Sequence, residues 1–461
     1  MNIVIIGASD IGIHLASIFS QENYRVVLVD KDPLKIEQAS RELDIATRVG
    51  LGTDWELLEE LLEFAPDLLI ALTNEDEINL VVCTLAKNLG YPQTIARVRK
   101  NKYFLQSRLN FEQLFCVDHL IGPERLTADA IANKILVPGA IAIESFAHGM
   151  IQMRTMRVPS TWRKHQVMLR DGDSIELPSK TMIGLIRRRQ SHEFSGKKVH
   201  PKEQIIFPHG NDSFLINDEV TFIGETDSIR NLHKFFGISI KDPKSVMIIG
   251  GSLVAINLAR ILIEHKMRIT ILDKNYEKCC LLTKLFPLAT IIQRSGTDYR
   301  YLQAEKVGDF DVVVSCTRDD EVNFLAGSIA KELGCNHVIV SISDTNYLPL
   351  ISSLGITHSA SPRIHASNRI LSIARERQIA SMVSMYNNQA EIMEVKISIN
   401  SKILGIPIRL LSKELPKDML IVAIQSHGRI LIADGSRVLS AGDTVIVISH
   451  PKHIDEIKRL F

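Results

Sequence analysis

The segment NIVIIGASDIG (residues 2–12), continued by RVVLVD (25–30), is the strongest indication of the fold in this sequence. Its first five residues are almost all apolar, as in a parallel strand that is buried on both faces. Small residues follow, then apolar residues at helical spacing, and a second apolar run ends at Asp30. This pattern predicts a strand, a tight glycine turn, a helix and a second, parallel strand.

The same pattern returns half a chain later, as VMIIGGSLVA (246–255) and ITILD (269–273). In both copies, the first glycine and the aspartate that ends the second strand are 23 residues apart. Segments 71–79 and 315–323 also align with each other, so the duplication extends well beyond the glycine motif. The apolar helix positions correspond as well, each 243 residues downstream: Ile11, Leu15, Ile18 and Phe19 match Val254, Leu258, Ile261 and Leu262.

The rest of each half continues the alternation of strands and helices. In the first half we expect strands at 67–73 and 94–98 with a helix at 76–89 between them, as in a doubly wound parallel sheet. Two later segments, 217–224 and 442–449, resemble each other and precede short helical stretches. The predicted fold class is therefore α/β, with two tandem Rossmann-like parallel-sheet domains, each followed by a small α+β C-terminal subdomain. The expected domains are 1–123, 140–227, 243–362 and 380–461, with residues 242–244 as the boundary between the halves.

Length and composition set broad limits. With roughly 100–200 residues per domain, a chain of 461 residues should hold about three or four domains. A formal net charge of +1 offers little attraction to nucleic acid or to an anionic membrane, so no nucleic-acid partner is expected. The first apolar run contains Gly7 and Asp10, unlike a signal peptide, and the apolar stretch 246–259 is shorter than the about 20 residues that span a membrane. We therefore expect a cytosolic chain that meets a membrane only through a partner.

Catalytic and metal-binding residues are not predicted. The six cysteines form no CxxC pair and have no histidine at metal-ligand spacing, so they are expected to be buried thiols in a reducing compartment. The pair Cys279-Cys280 is interpreted as helix packing, whereas Cys316 is expected near a ligand. The fifteen histidines share no motif, and His14 is interpreted as a partly exposed surface residue. The basic segment 187–198 is interpreted as a solvated loop or as a contact for acidic lipid or a partner.

The glycine motif points to a nucleotide. In a Rossmann-like domain the first glycine makes the turn, the second allows close approach of a pyrophosphate, and the third lets the helix pack against the strand. The helix N-terminus offers unpaired N–H groups to the phosphates. The aspartates that end the second strands, Asp30 and Asp273, suit ribose hydroxyls and disfavour a 2′-phosphate. We therefore expect NAD(H) or an adenine nucleotide such as ATP or ADP, and not NADP.

Both copies depart from the full motif. Ser9 and Ser252 replace the middle glycine, and Ala255 replaces the third. A serine adds a Cβ atom at the point of closest approach, which either weakens binding or is offset by a hydroxyl hydrogen bond. Asp10 brings a negative charge near a pyrophosphate. The alternative of a Rossmann turn that holds no nucleotide therefore stays open.

Further candidate residues follow the third predicted strand of each sheet. Thr73 and Asn74, matched by Thr317 and Arg318, are expected at the edge where such sheets bind ligands. Alternatively, each threonine simply caps the following helix. Arg97 has the length to reach a phosphate, but Ser341 occupies its place in the second half, so the two sites are not expected to bind identically.

The chain resembles the RCK/KTN family, and within it the regulatory subunits of Trk-type potassium uptake. The resemblance rests on the glycine motif with Asp30 and on segments 50–54, 72–79, 95–98, 122–129 and 439–447. It implies a cytosolic, peripheral subunit that assembles as a homo-oligomeric ring beneath a membrane-embedded potassium-translocating partner. Binding of NAD(H), ATP or ADP would change the shape of the ring and so gate ion flux.

The resemblance also implies which residues bind the nucleotides. The first site would comprise Gly7, Ala8, Ser9, Asp10, Ile11, Asp30, Thr73, Asn74 and Arg97. The second would comprise Gly250, Gly251, Ser252, Leu253, Val254, Asp273, Thr317 and Arg318.

Three functional hypotheses remain at this point. A non-enzymatic nucleotide sensor for potassium transport is favoured, because the motif is duplicated and no proton relay is apparent. The alternative is a soluble NAD-dependent oxidoreductase, which the glycine motif alone would permit. A scaffold in which neither site binds nucleotide is the third.

Overall fold

A computed structural model describes most of the chain as two compact units. The described residues are 1–104, 108–136, 140–147, 150–164, 167–169, 177–190, 193–194, 197–198, 202–230, 232–237, 243–344, 347, 351, 354–375, 379–385, 389–426 and 429–461. One unit combines Met1–Ile135 with Pro243–Leu371, and the other combines Leu136–Asp242 with Ser372–Phe461.

The first domain is a six-stranded parallel sheet with helices between its strands. The strands are β1 (Asn2–Ile6), β2 (Arg25–Asp30), β3 (Ala46–Val49), β4 (Leu68–Ala71), β5 (Thr94–Arg97) and β6 (His119–Ile121). The helices are α1 (Asp10–Gln21), α2 (Pro33–Glu42), α3 (Trp55–Glu60), α4 (Asp76–Leu89), α5 (Phe111–Leu114) and α6 (Pro123–Leu136). The strand order is β3-β2-β1-β4-β5-β6, which is the doubly wound order of Rossmann folds.

Local sequence explains where these elements begin and end. Four of the five residues in β1 are buried, as expected for a central parallel strand. Helix α2 starts with Asp32 as N-cap, followed by a proline whose missing N–H is not needed in the first turn. Helix α4 ends at Gly90, which takes a left-handed φ of 104° that glycine adopts without strain.

The first smaller subdomain is built on an antiparallel sheet. Its strands are β7 (Ala140–Phe146), β8 (Ile151–Arg157), β9 (Thr181–Gln190), a short hairpin of β10 (Glu193–Phe194) and β11 (Lys197–Lys198), β12 (Lys202–Ile206) and β13 (Glu219–Glu225). The five longer strands lie in the order β12-β9-β13-β8-β7. Two short helices, α7 (Thr226–Arg230) and α8 (Leu232–Phe235), follow.

The second half repeats the parallel sheet. Its strands are β14 (Ser245–Ile249), β15 (Arg268–Asp273), β16 (Thr290–Gln293), β17 (Val312–Ser315), β18 (His337–Ser341) and β19 (His358–Ala360). Its helices are α9 (Leu253–Glu264), α10 (Tyr276–Leu285), α11 (Tyr299–Ala304), α12 (Asp320–Glu332) and α13 (Pro362–Arg375). The order β16-β15-β14-β17-β18-β19 is that of the first sheet. Even the register is kept, since Ile3 pairs with Val26 and Val246 pairs with Ile269.

The second smaller subdomain ends the chain. Its strands are β20 (Ile379–Met385), β21 (Ala390–Lys396), β22 (Met419–Ser426), β23 (Arg429–Ile432) and β24 (Thr444–Ser449), in the antiparallel order β20-β21-β24-β22-β23. Helix α14 (Ile454–Leu460) packs with it, and Ile457 and Phe461 join its hydrophobic core.

Parallel-sheet domains and antiparallel subdomains alternate along the chain, but each type packs with the second copy of the same type. The two parallel-sheet domains form one compact unit, and the two antiparallel subdomains form the other. Within the latter, residues of both sheets, such as Met153 and Ile223 with Ile392 and Ile446, belong to one hydrophobic cluster. Duplication thus gives each half a like partner to pack against.

The α/β prediction is confirmed, including both small subdomains. Part of the boundary expected at 242–244 lies outside the described residues. Among the residues that are described, no helix is both long and apolar enough to cross a membrane.

Candidate functional site

A glycine turn leads out of the first strand of each parallel sheet. Gly7 and Gly250 take φ angles of 108° and 104°, which few residues other than glycine adopt. A Cβ atom on Gly7 would lie 2.8 Å from the backbone nitrogen of Thr73, so the turn lies against the end of β4. The strand order reverses direction between β1 and β4, and ligands of open parallel sheets bind beside such a reversal.

The third position of the motif differs between the halves. A Cβ atom on Gly12 would lie 2.1 Å from the carbonyl oxygen of Gly7, so only glycine lets α1 approach its strand this closely. Ala255 stands in the matching position of α9 and is fully buried. Because the second turn accommodates this methyl group, α9 must approach it slightly less closely than α1 approaches its own turn.

The serines at the middle position are helix caps. The hydroxyl of Ser9 accepts a hydrogen bond from the N–H of Gly12, at 3.3 Å, at the start of α1. Ser252 does the same for Ala255 at the start of α9, and its hydroxyl also donates to the carbonyl of Cys316 at 2.5 Å. Both serines therefore satisfy the third N–H of the helix, which would otherwise have no partner within the helix.

The two aspartates hold the glycine turns in place. One carboxylate oxygen of Asp30 accepts from the N–H of Ala8 at 2.6 Å, and the corresponding oxygen of Asp273 accepts from Gly251 at 2.6 Å. The other oxygen of each accepts from a backbone N–H two residues further along, at 2.9 and 2.8 Å. Sequence reasoning missed this structural role. A carboxylate has about four acceptor positions, so capacity remains for ligand hydroxyls.

The second aspartate is the more enclosed of the two. Asp273 is 8% exposed and lies 3.6 Å from the ammonium group of Lys278. Lys35 is the matching residue of the first half, where it is exposed and, within the described part of the chain, forms no ion pair with Asp30. The negative charge of Asp273 is therefore partly compensated by a lysine of the chain, whereas that of Asp30 is not compensated by the matching lysine.

A buried asparagine supports the rim of each site. The side-chain oxygen of Asn79 accepts from the N–H and hydroxyl of Thr73 at 2.9 and 2.7 Å, and its amide donates to the carbonyl of Arg97. Asn323 makes the equivalent bonds to Thr317 and to the carbonyl of Ser341. Sequence reasoning missed both asparagines, although they end the aligned segments 71–79 and 315–323.

The alternative that these threonines cap the next helix is wrong. Helix α4 has Glu75 at its N-cap, and the Thr73 hydroxyl bonds to Asn79 and to the backbone of Glu75 instead. Helix α12 has Asp319 as its cap. The threonines therefore shape the rim and do not start the helices.

A cavity of about 210 Å³ lies beside the first glycine turn. Five of the predicted residues line it: Gly7, Ser9, Asp30, Thr73 and Asn74. Its other lining residues are Lys31, Lys35, residues 50–53 and Glu75, with apolar surface from Ile6, Val29 and Ile78. Sequence reasoning did not assign residues 50–53 to the predicted site, although the glycine and threonine there recur at 296–297. We refer to this space as the nucleoside cavity.

A larger cavity of about 620 Å³ lies between the two parallel-sheet domains of the same compact unit. From the first half it is lined by Ala8, Ser9, Asp10, Ile11, Asn74 and Arg97 among others. From the second half it is lined by Ser252, Leu253, Val254, Thr317 and Arg318 among others. The two predicted sites thus open onto one space, which we call the central cavity. Three predicted residues, Gly250, Gly251 and Asp273, line neither of these two cavities.

Arg97 is held at the wall of the central cavity. Its guanidinium donates to the side-chain oxygen of Asn74 at 3.3 Å. Burial lowers the pKa of Arg97, while the carboxylates of Glu124, Asp76 and Asp10 act in the opposite direction. Its Nε is buried without a hydrogen-bond partner, so this arginine has a donor to offer an anion.

Other candidates from the sequence lie away from these cavities. The basic segment is not a loop where it begins, because Arg187 and Arg188 lie on β9 and pair with carboxylates of Glu219 and Asp218 at 3.0 and 2.7 Å. The Cys316 thiol is fully buried, which raises its pKa to about 12, and it lines neither cavity, so its expected position near a ligand stays a prediction.

One further thiol differs from expectation. Cys116 is exposed, contrary to the expectation that all thiols are buried. Within the described ranges, no group of three or more His, Cys, Asp or Glu side chains is arranged to hold a metal ion.

Known proteins similar to this chain agree with this architecture. The TrkA-N domain family matches residues 3–123 and 246–362, and the TrkA-C domain family matches 392–461. The Trk system potassium uptake protein TrkA homolog 1 of Methanosarcina mazei is 30% identical over 469 residues, covering 100% of both proteins. The Trk system potassium uptake protein TrkA of Halomonas elongata is 29% identical and covers 100% of this chain and 98% of that protein.

Solved structures show the same fold. The GsuK RCK domain has a TM-score of 0.63 at 17% identity, covering 99% of this chain and 94% of that one. The GsuK channel bound to NAD has a TM-score of 0.63 at 16% identity, with coverage of 99% and 78%.

The family assignment rests on both kinds of match. The two TrkA-N regions together cover more than half of the chain, and they coincide with the two parallel sheets that carry the glycine turns. The resemblance noted in the sequence is therefore confirmed, and this chain belongs to the Trk system potassium uptake protein TrkA family.

Proposed function

We propose that this chain is a non-enzymatic regulatory subunit of a potassium-uptake system and that it responds to adenine nucleotides. The observation that carries the proposal is the nucleoside cavity, which brings Gly7, Asp30 and Thr73 together at the strand reversal of a Rossmann sheet. The names of the full-length relatives supply the link to potassium uptake.

The first site consists of residues 7–11 with Asp30, Thr73, Asn74 and Arg97. Its shape and chemistry suit the adenosine part of NAD(H), ATP or ADP. Asp30 retains acceptor capacity for ribose hydroxyls, and apolar wall residues such as Ile78 suit a flat base. The first N–H groups of α1 and the Arg97 guanidinium provide donors for phosphates.

The second site consists of residues 250–254 with Asp273, Thr317 and Arg318. It repeats the chemistry of the first, but Lys278 already lies beside its aspartate. We therefore expect adenine nucleotides to bind more weakly there than at the first site.

The proposed assembly follows the alternation of domains along the chain. We assign residues 1–123 and 243–362 to nucleotide-binding domains, and 140–227 and 380–461 to C-terminal subdomains. The subunit would form a homo-oligomeric ring on the cytoplasmic face of the membrane, attached through a potassium-translocating membrane protein. A nucleotide alters ion flux through such a ring only if it binds two shapes of the ring with different affinity.

Binding without turnover tests this function against an oxidoreductase and against an inert scaffold. We expect purified protein to be stabilised against heat by NADH, ATP or ADP, since a ligand that binds only the folded state raises the melting temperature. We also expect no change in NADH absorbance with common alcohols or 2-hydroxy acids and NAD. Substrate-linked reduction of NAD would contradict the regulatory function, and the absence of any thermal shift would favour the scaffold.

A further inference from the structure

The central cavity is lined by both halves of the chain, so a residue of one half can contact a nucleotide that is bound in the other half. Building on the proposed nucleotide binding, we propose that the central cavity is one diphosphate site shared by the two halves. In this site Arg318 of the second half contacts the phosphates of the nucleotide whose adenosine lies in the nucleoside cavity of the first half.

The two cavities adjoin along a shared wall. Ser9, Lys35 and Asn74 line both of them. An adenosine bound beside Asp30 therefore has its 5′ end directed along this shared wall. Phosphates attached there enter the space between the halves and do not project into bulk solvent.

The central cavity favours anions. Its walls carry the cationic side chains Lys35, Arg97, Arg99, Arg318 and Arg363, against the two carboxylates of Asp10 and Glu124. Arg99 and Glu124 form an ion pair at 2.8 Å and so largely compensate each other. Lys35, Arg97 and Arg318 then outweigh Asp10, and this positive charge, close to an enclosed surface, attracts a diphosphate more strongly than it would in open water.

Two helices also point their N-termini at this space. Helices α1 and α9, of 12 residues each, begin at the wall of the cavity with residues 10–11 and 253–254. The serine caps occupy one N–H of each helix, whereas the first two N–H groups have no partner within the helix. The buried Nε of Arg97 adds a further donor that has no partner. These donors converge from both halves on one volume.

The arginines explain why the sites are unequal. At the end of β5 the first half has Arg97, where the second half has Ser341. After β17 the second half has Arg318, where the first half has Asn74. At these two pairs of matching positions, each half thus has one arginine where the other half has none, and both arginines line the same cavity. Arg318 is exposed and, among the described residues, makes no hydrogen bond or ion pair that would hold it elsewhere.

The ligand class is an adenosine bearing a 5′-diphosphate, which ADP, ATP and NAD(H) share. The test measures the affinities of adenosine, ADP and NADH by calorimetry for the unaltered chain, Arg318→Ala and Arg300→Ala. Arg300 is the matched control, because it is an exposed arginine of the second half that does not line the central cavity. We expect Arg318→Ala to weaken ADP and NADH by at least about tenfold, the loss expected for one charge-assisted hydrogen bond. Adenosine should bind as before, and Arg300→Ala should change nothing.

Measuring Arg318→Ala in a protein that also carries Asp273→Ala distinguishes this proposal from a role of Arg318 at the second site alone. With Asp273→Ala, nucleoside binding in the second half is impaired, and the remaining affinity reports the first site. The proposal requires Arg318→Ala to weaken ADP equally in this background. Unchanged ADP affinity there, or equal losses for adenosine and ADP, would overturn the shared site while leaving nucleotide binding intact. If the unaltered chain bound neither ADP nor NADH, the proposed function itself would fall, and the shared site with it.

Discussion

At the scale of single residues, the aspartates after the second strands serve two purposes. Asp30 and Asp273 accept hydrogen bonds from the backbone of their own glycine turns and keep capacity for a ligand. Sequence comparison with Rossmann motifs predicts the ligand contact but not the turn contact. The turn bond depends on backbone geometry around Ala8 and Gly251, which no residue pattern reveals.

We predict that Asp30→Ala and Asp273→Ala each weaken nucleotide binding without unfolding the protein. Each change removes ribose acceptors and also two backbone hydrogen bonds to a charged oxygen, so the free energy of unfolding should fall by about 1–3 kcal/mol. Calorimetry with NADH and ADP measures the first effect, and urea denaturation measures the second. A larger loss of affinity is expected for Asp30→Ala, because Asp273 is already beside Lys278.

Asp298→Ala is the matched control for these variants. Asp298 caps α11 and accepts from a backbone N–H at 3.1 Å, but it lines neither cavity. Its removal should cost about 1 kcal/mol of stability and leave nucleotide affinity unchanged. Normal affinity in both aspartate variants would show that the reasoning from the acidic residues is wrong.

At the scale of elements, the duplication provides its own mutational comparison. Gly12 and Ala255 occupy matching places at the start of α1 and α9, but only the first turn leaves no room for a Cβ atom. We predict that Gly12→Ala lowers the free energy of unfolding by about 1–3 kcal/mol through overpacking. The reverse change, Ala255→Gly, should cost only about 1 kcal/mol, from backbone entropy in the helix.

Urea denaturation of the two variants measures both changes. Equal, small losses would mean that α1 is not packed more tightly on its turn than α9. A gain in stability for Gly12→Ala would contradict the clash with the carbonyl of Gly7.

Elements built on local pattern were predicted well, and those that depend on distant partners were not. Helix α4 was predicted at 76–89 and has those bounds, because its apolar spacing and Gly90 are local signals. The strand predicted at 67–73 spans Leu68–Ala71, since its ladder with β1 ends at Ile6, where the glycine turn begins. The sequence did not predict a strand at Arg187, because the carboxylates that pair with this arginine lie on other strands.

At the scale of the whole molecule, the packing of the two parallel-sheet domains against each other creates the central cavity, which a single site does not have. The parallel-sheet domains contact each other through bonds such as Asn101 to Asn257 at 2.6 Å and Lys134 to the carbonyl of Ser359 at 2.9 Å. This pairing brings Arg318 and Arg97 into the lining of one cavity. The candidate site residues were therefore identifiable from motifs, but their arrangement around one cavity was not. It depends on tertiary packing between distant segments, which in these two hydrogen bonds are 156 and 225 residues apart in the sequence.

The proposed function requires that nucleotide binding by this chain controls potassium flux. The most direct measurement is potassium flux through the membrane transporter that co-purifies with the chain, reconstituted in vesicles with and without the chain and with ADP, ATP or NADH. We predict that nucleotide changes the flux only when the unaltered chain is present, and that the response shifts to higher nucleotide concentration with Asp30→Ala. Flux that does not respond to any of these nucleotides in the presence of the chain, or that responds equally in its absence, would contradict the account.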